Sequence, residues 1–192
     1  MNYLVDRFPD AVRVNGTIYP VNADFRVGLR IMCAFEDKRL TDWEKQIVMC
    51  SLLYRDSQPE DFGAACAAAR KFLDCGEDRR EDEDAPVRGR VYSFTKDARY
   101  IYSAILQTHG IDLQEAGAMH WWKFCSLFAD LNEDTTFQNI VSLRRRHERG
   151  QLTKEERRLW FELQPVLSLE EPEPDPERDE ALAEFERRMK GG

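Results

Sequence analysis

Three histidines, five cysteines, one acidic run and one basic run carry most of the chemistry available to this chain. His109 falls at the end of a helical pattern, His120 directly precedes two tryptophans, and His147 sits in an arginine run. None has the HxxxH or HExxH spacing that brings imidazoles together on one metal. Cys33, Cys50, Cys66, Cys75 and Cys125 are odd in number and scattered, with no CxxC. Among apolar neighbours they read as small hydrophobes, reduced in a cytosol. Cys125 follows His120 by five residues, roughly 140° around a helix, so the two point in different directions. There is no GxSxG, no phosphate-binding glycine loop and no dinucleotide fingerprint. The chemistry expected is therefore not enzymatic, with no cofactor and no metal, and His120 reads as a hydrogen-bonded core or interfacial residue.

The acidic run Glu77–Asp84 lacks the spaced ligands and glycine turn of a hard-cation loop. With Pro86 and Gly89 it reads as a linker over about 77–90. Arg144, Arg145, Arg146, His147 and Arg149 form the basic run. Nucleic acid is its sharpest reading, but a net charge of −8 works against a phosphate-neutralising footprint. Cations in a helix's last turn suit its dipole, and arginine forks also suit an acidic protein partner.

The elements that would position these groups are mostly helical. Val12–Val21 alternates β-formers around Asn15-Gly16, the signature of a type I′ hairpin, expected over about 8–21. Asn22 or Asp24 can cap a first helix burying Phe25, Leu29, Met32 and Cys33. Thr41–Glu44 is a capping box opening a second, with Trp43, Ile47, Cys50 and Tyr54 inward. An alanine-rich third helix ends at Gly76, and a fourth, with Ile101, Ala104 and Ile105 inward, ends at Gly110. Asp112–Glu115 resembles another capping box and launches a helix through Trp121, Trp122, Phe124, Phe128 and Leu131. That helix is apolar round much of its girth, so it is read as the central beam. A further helix buries Phe137, Ile140, Val141 and Leu143, and Thr153–Glu156 caps a last short one, broken by Pro165. The sequence predicts a mainly α-helical bundle with a small N-terminal β-hairpin, one domain over 1–165. Residues 166–192 form an acidic, proline-rich spacer and a loosely helical or disordered tail carrying Leu182, Phe185 and Met189.

Several of these segments resemble the bacteriophage gene-product-fifteen family. They are Ile111-Asp112-Leu113, Met119-His120-Trp121-Trp122-Lys123-Phe124, Leu127 and Leu131, and Thr136-Phe137-Gln138-Asn139-Ile140 with Arg144. The resemblance covers roughly residues 10–150, and the acidic tail reads as an individual extension. It implies a protein of the tail-morphogenesis region of long-tailed phages, encoded near the tape-measure gene, with no catalytic residues. The implied role is a tail assembly chaperone that binds the tape-measure or another tail protein in the host cytoplasm and is absent from the mature virion. Self-association into a homo-oligomer is left open; no membrane is involved. A structural virion component, or a nucleic-acid-binding regulator centred on Arg144–Arg149, are the rival readings. Trp121, Trp122 and Phe124 are the candidate client surface, with Phe128 and Leu131 held in the core, and Arg144 and Arg145 are candidates for docking an acidic partner.

Overall fold

The computed structural model describes residues 1–55, 57–77 and 90–169. The chain is mainly helical with an N-terminal antiparallel hairpin. It divides into two compact units, Met1–Gln151 and Leu152–Gly192. Gly150, in the left-handed region at φ 67°, stops one helix, and the Thr153 capping box starts another almost at once. Most of the expected 77–90 linker, and the tail with Leu182, Phe185 and Met189, lie outside the described residues.

In the first unit, β1 (Ala11–Val14) pairs with β2 (Thr17–Pro20), Val12 opposite Tyr19 and Val14 opposite Thr17. Asn15 and Gly16, at φ 47° and 85°, make the expected turn. The hairpin is tied to α3 (Phe62–Leu73) by Asn15 Nδ2, which donates to Asp61 Oδ2 at 2.9 Å. Asp61 is itself the N-cap of α3, accepting from the Ala64 amide.

Helix α1 (Phe25–Glu36) is capped by Asp24, and α2 (Asp42–Leu53) by the predicted Thr41–Glu44 box. Their buried faces differ from expectation. In α1 the interior takes Phe25, Val27, Gly28 and Ile31, leaving Leu29, Met32 and Cys33 half-buried. In α2 the interior takes Met49, Cys50, Leu53 and Tyr54, while Trp43 and Ile47 are 59% and 43% exposed. The first turn of α2 projects from the core, and Trp43 leans on Phe62 with ring centroids 4.7 Å apart.

Helix α4 (Ala98–His109) buries Ile101, Ala104 and Ile105 as expected and ends at Gly110, φ 66°. The tryptophan helix is shorter than its pattern: α5 covers only Trp121–Ala129. Asp112 caps a turn instead of a helix, accepting from the Gln114 amide at 2.8 Å and the Tyr102 hydroxyl at 2.9 Å. Those two donors hold its carboxyl below the usual range, the Gln114 amide having the larger effect. The N-cap of α5 is His120, whose Nδ1 accepts from the Trp122 amide at 3.0 Å. Because Nδ1 accepts, the ring proton is on Nε2, which donates to the Pro9 carbonyl at 3.0 Å. Helix α6 (Thr136–Glu148) buries Phe137, Ile140, Val141 and Leu143 as expected, and also Arg144.

In the C-terminal unit, α7 (Lys154–Glu162) carries the expected Thr153–Glu156 capping box. The four-residue α8 (Gln164–Leu167) follows, with Pro165 in its first turn, where a missing amide hydrogen does no harm. Phe161 is 75% exposed.

Candidate partner-binding groove

The residues marked out by the sequence as a client surface are inside the molecule. Trp121, Trp122 and Phe124 are 3%, 5% and 1% exposed, while Phe128 is half-buried and Leu131 buried. The paired indoles have a structural task that accounts for their adjacency. Trp121 Nε1 donates to the Leu73 carbonyl at 2.9 Å, and Trp122 Nε1 to the Phe72 carbonyl at 2.7 Å. A helix leaves its last carbonyls without intrahelical partners, and here two consecutive tryptophans satisfy two consecutive carbonyls of α3.

The same helix end closes with a Schellman pattern: the Gly76 amide donates to Lys71 at 2.8 Å and the Cys75 amide to Phe72 at 3.1 Å. Cys75 takes the left-handed position usually given to glycine, at φ 59°. Two glycines make room for the rings. A Cβ on Gly28 would lie 2.2 Å from Trp121 Cε3, and one on Gly76 would lie 3.1 Å from Trp122 Cη2. Phe25, Trp121 and Phe128 each stack on Phe124, with centroids 5.5–6.1 Å apart.

Arg144 is also turned inward. It is 2% exposed and forms a two-pronged pair with the fully buried Asp97, Nη1 to Oδ2 at 2.6 Å and Nη2 to Oδ1 at 2.9 Å. Nη1 also donates to the Val91 carbonyl at 3.1 Å, and the Ser93 amide donates to Asp97 Oδ2. Arg144 thus braces the start of α4 and presents nothing to a partner; Arg145, next along the helix, is exposed. The basic run is split between interior and surface. Position 144 falls on the inward stripe of α6 with Phe137, Ile140 and Val141, so the helix's own turn decides which arginine is buried.

What the surface does offer is a groove of about 400 Å³ that sequence reasoning did not identify. One wall is α1, through Phe25, Arg26, Leu29 and Arg30; the other is α4, through Ala98, Ile101 and Tyr102. Phe124 of α5 floors it, and Phe94, Leu113 and Gln114 complete the lining. Both wall helices pack on α5, which leaves the trough between them. Each end of α1 is fastened to a segment flanking α4. Arg26 donates to the carbonyls of Leu113, Ala116 and Gly117 at 3.2, 2.6 and 3.4 Å. Glu36 accepts from the Ser93 hydroxyl at 2.6 Å and from the amides of Phe94 and Thr95 at 2.8 and 3.1 Å. Leu29 is left half-buried because it faces this trough; its periodicity marks it as apolar but not as a wall.

A model of the family described as Bacteriophage Gp15 protein matches residues 4–169. The chain belongs to that family. No curated protein and no solved structure matches it. The matched stretch runs further than the 10–150 read from the motifs, taking in residues 4–9, Phe8 among them, and also α7 and α8. Membership carries a phage structural or morphogenesis role. Among the described residues of this Gp15-family chain, no helix is long and apolar enough to cross a membrane. Nor do any three or more His, Cys, Asp or Glu side chains there come together as a metal site.

Proposed function

We propose that this Gp15-family protein is a non-enzymatic tail assembly chaperone, acting by binding alone on the tape-measure protein or another long helical tail protein. The observation that carries this is the trough between α1 and α4, apolar on its floor and fastened at both ends. Preformed clefts of that kind receive partners without first reorganising. A client held in this way stays soluble in the host cytoplasm until tube subunits replace the holder, so the protein leaves before the virion matures. Excess negative charge keeps such a holder and its load dispersed. Arg145, exposed on α6, is available for an acidic partner.

Co-expression with the tape-measure protein of the same phage tests the reading. The expected result is a soluble, co-purifying complex, with the chaperone missing from purified particles by mass spectrometry. A tape-measure protein that stays insoluble and unbound refutes the assignment, and recovery of the chain in stoichiometric amounts from virions favours a structural tail component.

A further inference from the structure

Building on the protein-binding reading above, we infer that the α1–α4 trough receives one amphipathic helix of another tail protein, bearing an apolar ridge and a carboxylate that meets Arg30. The whole chain has 36 acidic and 28 basic side chains apart from histidine, yet the trough is lined by two arginines and no carboxylate. Arg26 is committed to three backbone carbonyls. Arg30, exposed at the rim, has no hydrogen bond, ion pair or ring contact among the described residues. An uncommitted guanidinium over an apolar cleft selects an apolar segment that carries a negative charge at its edge.

Shape selects a helix. The stretches of α1 and α4 that line the trough, Phe25 to Arg30 and Ala98 to Tyr102, each run for about 6–8 Å of helix axis, between one and two turns. Its two walls are themselves helices, and a third laid between them would set residues at i, i+3 or i+4, and i+7 onto Leu29, Ile101 and the Phe124 floor. An extended strand would find no sheet edge there, since none of the lining residues belongs to the hairpin. The occupant therefore donates side chains, not backbone hydrogen bonds.

The test uses the full chain and the tape-measure protein of the same phage, with overlapping 25-residue peptides from the latter as probes. Two surface variants are compared with wild type: Arg30→Glu, which reverses the free cation, and Ala98→Trp, which fills the mouth from an exposed position. Unchanged circular dichroism and thermal midpoint verify that both remain folded. Fluorescence anisotropy is expected to show binding by peptides with an apolar ridge and a neighbouring carboxylate. Arg30→Glu should weaken it about tenfold, and changing the peptide's carboxylate to lysine should restore it. Ala98→Trp should abolish it. If wild type and both variants capture the full-length protein equally, the trough is not the site, though the chaperone reading stands. If wild type captures nothing, that reading fails and this inference with it. A dimer in sedimentation that either variant dissolves would show that a second copy fills the trough, and overturns the proposal.

Discussion

Replacing Gly28 with alanine should destabilise the protein, against the direction of helix propensity. In an ordinary helix interior this change gains about 0.5–1 kcal/mol. Here the added methyl group would stand 2.2, 2.4 and 2.7 Å from three carbons of the Trp121 ring. Carbon contacts are comfortable near 3.5–4.0 Å, so the ring must retreat by more than about 1 Å. It is not free to do so, because Nε1 is held at 2.9 Å from the Leu73 carbonyl and Phe124 stacks on it at 5.6 Å. Overpacking of this kind costs about 1–3 kcal/mol, and losing the indole hydrogen bond adds about 1 kcal/mol. Net of the propensity gain, Gly28→Ala should lose about 1–3.5 kcal/mol. In a chain of this size that lowers Tm by about 2–14 °C. Urea denaturation followed by tryptophan fluorescence measures it, with the midpoint falling and the slope unchanged. Combining Gly28→Ala with Trp121→Phe should cost less than the two changes summed, since the smaller ring leaves space. A Gly28→Ala protein as stable as wild type, or more so, would refute the account of the indole's seat.

Three other expectations can be checked on the same purified protein. Arg144→Ala strands the buried Asp97 carboxylate and should cost about 3–5 kcal/mol by urea denaturation, whereas Arg144→Met with Asp97→Leu should recover much of the loss. His120→Asn keeps an N-cap acceptor for α5, so it should destabilise less than His120→Ala, and hydrogen exchange at the Trp122 amide should rise only in the alanine variant. The third concerns pH. Burial, and then the hydrogen bond with Cys66, pushes the Cys50 thiol from 9.0 up to about 12, and burial pushes the Tyr54 hydroxyl up as well. The unfolded chain gives up these protons first, so stability is intact below about pH 9 and declines from there through about pH 12. Cys50→Ala should flatten that decline, as seen in chemical denaturation midpoints taken across the range.

Local signals in the sequence translated well into structure. Asn15-Gly16, the Thr41 and Thr153 capping boxes, Gly110 and the apolar stripe of α6 each depend on neighbours within four residues, and each formed as its pattern predicts. Faces were harder to assign. Gly28 carries no hydrophobic weight, so counting apolar residues rotates α1 toward Leu29 and Met32, although the glycine is where the indole packs. Trp43 is large and apolar, yet it sits on a first turn that projects beyond the core. The doubled tryptophan was recognisable as an organising element, but its partners at Phe72 and Leu73 lie about fifty residues away, outside any local pattern. The trough has no signature in the sequence for the same reason: its walls come from separate helices, and nothing in either one announces the other.

The starts of α1 and α5 lie side by side. The Phe25 amide donates to the Met119 carbonyl at 2.9 Å, and the Trp121 amide to the Ala23 carbonyl at 2.7 Å, across nearly a hundred residues of chain. This has a consequence for synthesis on the ribosome. When residues 1–77 have emerged, the Phe25 amide and the Leu73 carbonyl still wait for the partners they take in the finished fold, because those are encoded at Met119 and Trp121. Such long loop closures slow folding and leave partly built intermediates with apolar surface exposed. The N-terminal helices therefore wait for translation to pass the tryptophan pair, and a chain truncated before it should be captured by proteases or aggregate.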